Sequence, residues 1–481
     1  MPLHDRIDQE RKGSAVKPLI HLQERAYCRS VLAILSIAVA LVMFTEAMLT
    51  PALPLIQVEF ATPAVWNAWI LAMVLLVGAI ITPIIGTCGD IYGKKRVLTV
   101  CMIIYILGIV GGGWAPSLPA LLLFRAMQGF GMGIFPLGYA LIREQFPEDR
   151  VAVSIGTIAA MFGAGTLLGI FAGSWIVEHW GWRMTFQSVM PAVIVLILLI
   201  ALVVVPSPRR AASLDLPGMA AFTATLLALV LMLTLGGQMG WTDPIVILLA
   251  LMVPVCALVL REVERRAAQP MLNLSMVRRR SVFIALALGI IIVMATFMVI
   301  QTMPFLIESP TGLGLSSVAV GLILIPGSFA DMIAGPLAGI LAARKGIRIT
   351  MIIGSAVLLA GAVGYVLAGR SVPGLILAGI LFNAGMSATL TGNTIIIVRE
   401  AVAAETATWT AVYHTAQNMG GMSGPVIAGA ILGMHSVEVP GWDVPLPAAE
   451  GFLQIFQAVL LLSLLSLLIA LCLRSDRGAP T

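Results

Sequence analysis

Three ionisable side chains lie inside long apolar stretches of the sequence, and together they suggest a chemistry. Glu46 precedes Pro54, the end of its run, by eight residues, and Arg125 follows Leu118, the start of its own, by seven. At about 1.5 Å of rise per residue, both fall roughly 10–12 Å below the same end of two antiparallel helices. A guanidinium stays charged at any physiological pH, and a charge inside an apolar helix must meet a partner or a wet cavity. Equal depth permits Glu46 and Arg125 to meet, as a proton-exchanging pair or as a structural ion pair. Asp331 lies fourteen residues into another run, near its middle. A carboxyl there can exchange a proton for a cation, or serve as a protonated, hydrogen-bonded packing acid. Met43, Gln128, Gln301, Asn383, His414 and Gln417 are soft or polar positions in the same runs, and they are candidates for lining a cavity.

The runs that must position these groups are read from composition. The chain is 481 residues long, 59% hydrophobic and only 11% charged, where soluble domains carry roughly a quarter charged residues. Lipid must be the solvent for most of it. Fourteen apolar runs are long enough to cross a bilayer, near 31–54, 66–87, 97–115, 118–143, 152–177, 184–205, 215–236, 244–261, 281–307, 317–342, 347–368, 371–398, 407–434 and 453–473. With the N-terminus in the cytoplasm, every one of the 28 Lys and Arg residues falls on the inner side except Arg183, Arg370 and the in-span Arg125. That bias predicts both termini inside and an even number of spans. Trp66, Trp114, Trp180, Trp182, Trp241 and Trp442 fall at the opposite, outer side. The first 30 residues hold no apolar segment of the kind that signal peptides carry, so the first span is expected to insert uncleaved. The five cysteines show no CxxC or CxxH spacing, so neither a disulfide framework nor a metal site is indicated. A net charge of +5 gives no reason to expect nucleic acid.

Between the second and third runs stands a glycine-hinged charged turn, Gly86-Thr87-Cys88-Gly89-Asp90-Ile91-Tyr92-Gly93-Lys94-Lys95-Arg96. Glycines at 86, 89 and 93 let helix ends approach closely, Asp90 can cap a helix or pair with a base, and Lys94, Lys95 and Arg96 hold the turn inside. A copy follows 253 residues later: Pro83, Gly86, Gly93 and Lys95 return as Pro336, Gly339, Gly346 and Arg348, while Asp90 returns as Ala343. The offset predicts two related halves, only one of which keeps the acid. The expected organisation is a cytoplasmic tail (1–30), a six-helix bundle (31–210), two inserted helices with a cytoplasmic linker (211–280), a second six-helix bundle (281–473) and a short tail (474–481). Gly165, Gly169 and Gly173 form a small-residue face suited to close helix packing, and Gly424-Pro425 sits in a similar stretch of the thirteenth run.

These stretches carry a resemblance. The 86–96 turn resembles the G-x-x-x-D-R-x-G-R-R signature of the major facilitator superfamily, with Ile91 where the family has Arg; Leu121 to Gly129 resembles its l-x-x-x-R-x-x-Q-G motif. Gly165 to Ser174 is similar to the g-x-x-x-G-P-x-x-G-G motif of drug/proton antiporters, with Ile170 in place of Pro and Ser174 in place of the last Gly. Over nearly its whole length the chain resembles the fourteen-helix drug/proton antiporter family. The resemblance implies an all-α membrane fold of two six-helix bundles plus two inserted helices. It implies a conformational latch at Gly86, Asp90, Gly93, Lys94 and Arg96, and proton coupling through Glu46, Arg125 and Asp331. The function expected is proton-driven export of lipophilic, often cationic compounds by alternating access in the inner membrane. No cofactor is expected beyond the proton gradient, and no G-x-x-x-x-G-K-[ST] nucleotide loop occurs. Small-molecule substrate, protons and lipid are the expected partners of a monomer that is not an enzyme. A proton-linked transporter of one specific metabolite, antibiotic or siderophore is the alternative, and a non-transporting scaffold or sensor a third.

Overall fold

The computed structural model describes residues 24–207, 215–266, 279–400, 406–439 and 445–473. Proline and glycine punctuate a chain whose other residues nearly all favour helix. The first helix, α1 (Glu24–Met48), stops before Thr50-Pro51; a 3-10 turn at Thr50–Ala52 leads into α2 (Leu53–Glu59), α3 (Ala64–Asn67) and α4 (Trp69–Tyr92). Gly93, at φ +95°, separates α4 from α5 (Lys94–Gly113). The charged stretch expected as a turn is therefore helical up to Tyr92, and the turn itself is the single residue Gly93. Gly346 makes the same break at φ +90°, so the 253-residue repeat is a repeat of backbone geometry.

The next span is broken in the middle. α6 (Leu118–Gln128) and α7 (Ile134–Gln145) flank a 3-10 segment, Gly129–Gly133. A Cβ added at Gly129, Gly131 or Gly133 would collide with Val77, Tyr105 or Ile85, so these glycines let the segment pass against α4 and α5. α8 (Glu148–Trp180) ends at Gly181, and α9 (Arg183–Val203) follows. The inserted pair is α10 (Leu216–Met239) and α11 (Pro244–Arg266). The second set comprises α12 (Arg280–Glu308), α13 (Ser317–Lys345), α14 (Ile347–Ala368), α15 (Val372–Glu400), α16 (Thr406–Met434) and α17 (Ala449–Leu471). A two-residue antiparallel pair, β1 (Ser436–Val437) with β2 (Leu446–Pro447), closes the last connection.

Among the described residues, thirteen helical spans are long and apolar enough to cross a membrane. The fourteenth expected span, α16, is a 29-residue helix below that level of apolarity. His414, Gln417, Asn418 and its glycines lower its hydropathy, and it packs among α3, α4, α10 and α12. The protein is an integral membrane protein.

Packing repeats between the two sets of six. α8 lies on α1 as α16 lies on α12, and α9 lies on α5 as α17 lies on α14. Contacts between the sets run along α4 with α16 and along α8 with α13. They concentrate at the end where Trp66, Trp114, Trp180 and Trp182 fall. There Glu59 accepts from Trp182 (2.6 Å) and pairs with Arg183 (2.5 Å), and Arg183 also donates to the Ala115 carbonyl (3.1 Å). At the opposite end, near Gly93, Lys94 pairs with Glu144 (2.8 Å) and Lys95 donates to the Ala201 carbonyl (2.7 Å). These are called below the tryptophan end and the motif end.

The inserted pair is peripheral. α11 packs chiefly on α10, and α10 rests on α3, α4 and α16. The buried indole Nε1 of Trp69 donates to Thr234 Oγ1 at 3.0 Å, tying α10 to α4. Thr234→Val keeps the shape and removes the acceptor. It is expected to cost about 1 kcal/mol, read as a lower melting temperature of the purified protein.

Candidate functional site

α6 begins with Pro119 in its first turn and presents Leu118, Leu121, Arg125 and Gln128 on one buried face. Arg125 therefore points into the first set of helices, with its side chain wholly buried. Its Nη2 pairs with Glu46 Oε2 at 2.6 Å, and Nη1 meets Glu46 Oε1 at 3.2 Å and Gln128 Oε1 at 2.7 Å. Nε donates to the Ile70 carbonyl at 2.9 Å. Gln128 Nε2 in turn donates to the Gly108 carbonyl at 2.9 Å. One guanidinium thus links α1, α4 and α6, and through Gln128 also α5. Glycine at 108 permits the last contact, because a Cβ there would meet the backbone of Gln128.

The pair is one-sided. Arg125 is 0% exposed, while the Glu46 side chain keeps 17%. Glu46 is the less enclosed member of the pair, and Arg125 retains Gln128 and Ile70 when Glu46 is neutralised. The buried hydroxyl of Tyr105 has no hydrogen-bond partner among the described residues. Tyr105 was not among the sequence candidates; its signal was a phenol in the middle of an otherwise apolar span.

Asp331 is elsewhere, in α13 against α15. Ser387 Oγ donates to its backbone carbonyl at 2.9 Å, and Asp331 makes no ion pair among the described residues. Met332 and Ile333 beside it are exposed on the outer surface of the helix. Within the described residues, no hydrogen bond or ion pair joins Asp331 to Glu46.

The cavity candidates divide. Met43, Gln128 and Gln301 are 5%, 0% and 0% exposed, so all three are buried among the helices in this conformation. Residue type marked them, but helix face decides exposure. Asn383 is half-buried and donates to Gly379 of its own helix at 2.9 Å. His414 and Gln417 are half-buried and bonded to each other at 2.9 Å. His414 also stacks on Phe135 of α7, centroids 6.3 Å apart, and Phe135 lies 6.0 Å from Phe162 of α8. This aromatic and imidazole cluster spans the two sets of helices. Neither phenylalanine stood out in sequence, where a phenylalanine in an apolar run reads as ordinary packing.

The expected latch residues are placed as follows. Asp90 lies in the last turn of α4, and its side chain is outside what the structure describes. Lys94 is held by Glu144, and Arg96 is exposed. A Cβ at Gly89 would meet Leu137 at 2.6 Å, and one at Gly93 would meet the Ser207 carbonyl at 3.3 Å. Gly86 has nothing within 4 Å, so close approach there is not used in this conformation. The packing glycines are used. Gly165, Gly169 and Gly173 lie against the backbone of α1 at Ala40, Phe44 and Met48, and Gly420 and Gly424, the latter just before Pro425, lie against α12 at Ile290 and Met294.

Known proteins share this sequence and architecture. The family model described as Major Facilitator Superfamily matches residues 35–425 and 311–481. The multidrug resistance protein Stp of Mycobacterium tuberculosis is 30% identical over 387 residues, covering 79% of this chain and 71% of that protein. The multidrug efflux pump LfrA of Mycolicibacterium smegmatis is 28% identical over 434 residues, covering 86% and 83%. The crystal structure of a bacterial homolog of the human lysosomal transporter Spinster superposes with a TM-score of 0.66 at 15% identity, covering 92% of this chain and 96% of that one. The family match spans most of the sequence, and the chain belongs to the major facilitator superfamily.

Proposed function

We propose that the protein is a proton-driven exporter of lipophilic, often cationic compounds, with both termini in the cytoplasm. The observation that carries the coupling is the Glu46–Arg125 pair, an ion pair inside the helices whose cation is wholly buried and whose carboxylate side chain is less so. Protonation of Glu46 breaks the ion pair that bridges α1 and α6, so it changes how these helices are held. Asp331, without an ionic partner among the described residues, is the second site at which a proton and a cationic substrate exclude each other. The cluster of Phe135, Phe162 and His414 offers flat, apolar surface between the two sets of helices, suited to lipophilic ligands. Export rather than import is supported by relatives whose names are those of a multidrug resistance protein and a multidrug efflux pump. The orientation rests on Lys94, Lys95 and Arg96 at the motif end and the tryptophans at the other.

The test uses proteoliposomes, a fluorescent lipophilic cation such as ethidium, and an imposed pH gradient. The parent is expected to move the dye only while the gradient lasts. Asp331→Asn is expected to lose most of that movement with its fold intact. Gradient-driven transport at the parental rate in both Asp331→Asn and Glu46→Gln would remove the coupling assignment. A correctly folded parent that moves no cationic dye would redirect the search to a specific metabolite.

A further inference from the structure

The silent copy of the charged turn opens onto a cavity of about 540 Å³ at the motif end of the second set of helices. Its polar wall is made by Arg280, Arg348, Arg399 and Glu400; Ile347 and Leu473 are among its apolar residues. The wall thus holds three arginines and a single acid. The one acid is already engaged: Arg279 donates to its carboxylate (3.2 Å) and its carbonyl (2.9 Å), and Ser281 Oγ donates to it at 2.6 Å. Among the described residues, Arg280 reaches only a neutral acceptor, the Cys472 carbonyl, at 3.2 Å. Arg348 Nε is buried and has no hydrogen-bond partner among the described residues.

The repeat shows why this position is unusual. Lys95, the counterpart of Arg348, is satisfied by the Ala201 carbonyl. In the second copy Ala343 stands at the place of the acid, so a base remains without the acid that its sequence motif supplies. Two helices also begin at the cavity, α12 at Arg280 and α14 at Ile347, and neither has a side-chain cap on its first-turn amides. Uncapped amides and guanidinium forks favour an oxyanion, phosphate among them. Phe283, Ile349 and Leu471 on helices at this end are exposed around it, which gives apolar chains a surface to follow.

We propose that this cavity binds a phosphate-bearing anion, the headgroup of an anionic glycerophospholipid whose acyl chains run along Phe283 and Ile349. The site lies in the second set of helices, away from Glu46, and it stands whether or not transport is proton-coupled. Basic pockets between membrane helices at the cytoplasmic surface are suited to such headgroups.

The purified full-length protein would be titrated in detergent with dioleoyl phosphatidylglycerol, dioleoyl phosphatidylcholine or inorganic phosphate. Bound lipid is counted by native mass spectrometry and melting temperature followed in parallel. Phosphatidylglycerol is expected to be retained and to raise the melting temperature, with phosphatidylcholine retained far less. Arg348→Gln combined with Arg280→Gln is expected to weaken phosphatidylglycerol binding about tenfold and leave phosphatidylcholine unchanged. Arg348→Lys keeps the charge without the fork and should fall between, which keeps the test decisive if the double variant folds poorly. Equal retention of the two lipids by the parent, or unchanged phosphatidylglycerol binding in both variants, would overturn the site. Displacement of phosphatidylglycerol by an equal concentration of inorganic phosphate would overturn its assignment to lipid and leave a free phosphate as the ligand.

Discussion

Arg125→Leu is expected to abolish gradient-driven transport and to destabilise the protein by about 3–5 kcal/mol, the range for breaking a buried ion pair from one side. The substitution leaves Glu46 without its cation and the Ile70 carbonyl and Gln128 Oε1 without their donor. Glu46→Leu has the converse effect: the guanidinium keeps two neutral acceptors but no counter-charge. The two variants separate structure from coupling when they are combined. In a Glu46→Leu, Arg125→Leu double variant no unpaired charge remains, so part of the lost stability should return while transport stays absent. The residual loss belongs to Ile70 and Gln128. Denaturation in detergent gives the stabilities, and the dye assay gives the function. If the double variant were as unstable as the sum of the single ones, the pair would contribute no coupling energy and the picture of one joined unit would be wrong.

Gly169→Val is expected to be the most damaging change on α8. A Cβ at this position would collide with the Phe44 backbone and with Ala47 Cβ, so α8 and α1 must move apart along their whole contact. Overpacking of this kind costs about 1–3 kcal/mol even for small additions, and the branched side chain adds to it. Gly169→Ala should show a smaller loss of the same sign. Gly163→Ala, on the same helix with nothing within 4 Å of the added carbon, is the control and should hold or slightly raise the melting temperature. Equal behaviour of Gly163→Ala and Gly169→Ala would show that backbone contact between α1 and α8 does not limit stability.

The features legible in the sequence and those hidden from it divide along physical lines. Glu46 and Arg125 could be matched because depth along a helix is simple arithmetic on sequence position. Gln128 was visible as a polar residue, but its role as a brace was not. That role depends on the Gly108 carbonyl, and Arg125 depends on the Ile70 carbonyl; backbone acceptors leave no mark in a sequence. The helices extend past the apolar runs at Lys94, Glu144 and Glu400. Hydropathy marks where lipid ends, whereas hydrogen bonding marks where a helix ends, and charged residues carry the helix beyond the bilayer core. Met43 and Gln301 were misplaced because type alone does not say which face a residue occupies. The stacking of Phe135 on His414 brings α7 and α16 together, a pairing that no local pattern encodes.

The open glycines have a consequence for bistability. Ala68, just before α4, meets Gly429 of α16, and Gly321 on α13 meets Ser174 of α8, so both sites help close the tryptophan end. Gly86 follows Ala68 by eighteen residues, and Gly339 follows Gly321 by the same interval. Eighteen residues are five turns of ideal helix, so the interval is the same whole number of turns in both copies. Both glycines are vacant, with nothing within 4 Å. The two related segments therefore each carry two small residues at the same interval, one engaged and one idle. The alternating access proposed above would separate Gly321 from Ser174 and Ala68 from Gly429, and the idle glycines offer close-packing points of the same kind at the motif end. Docking points of equal kind at the two ends would keep the free-energy gap between two such arrangements small.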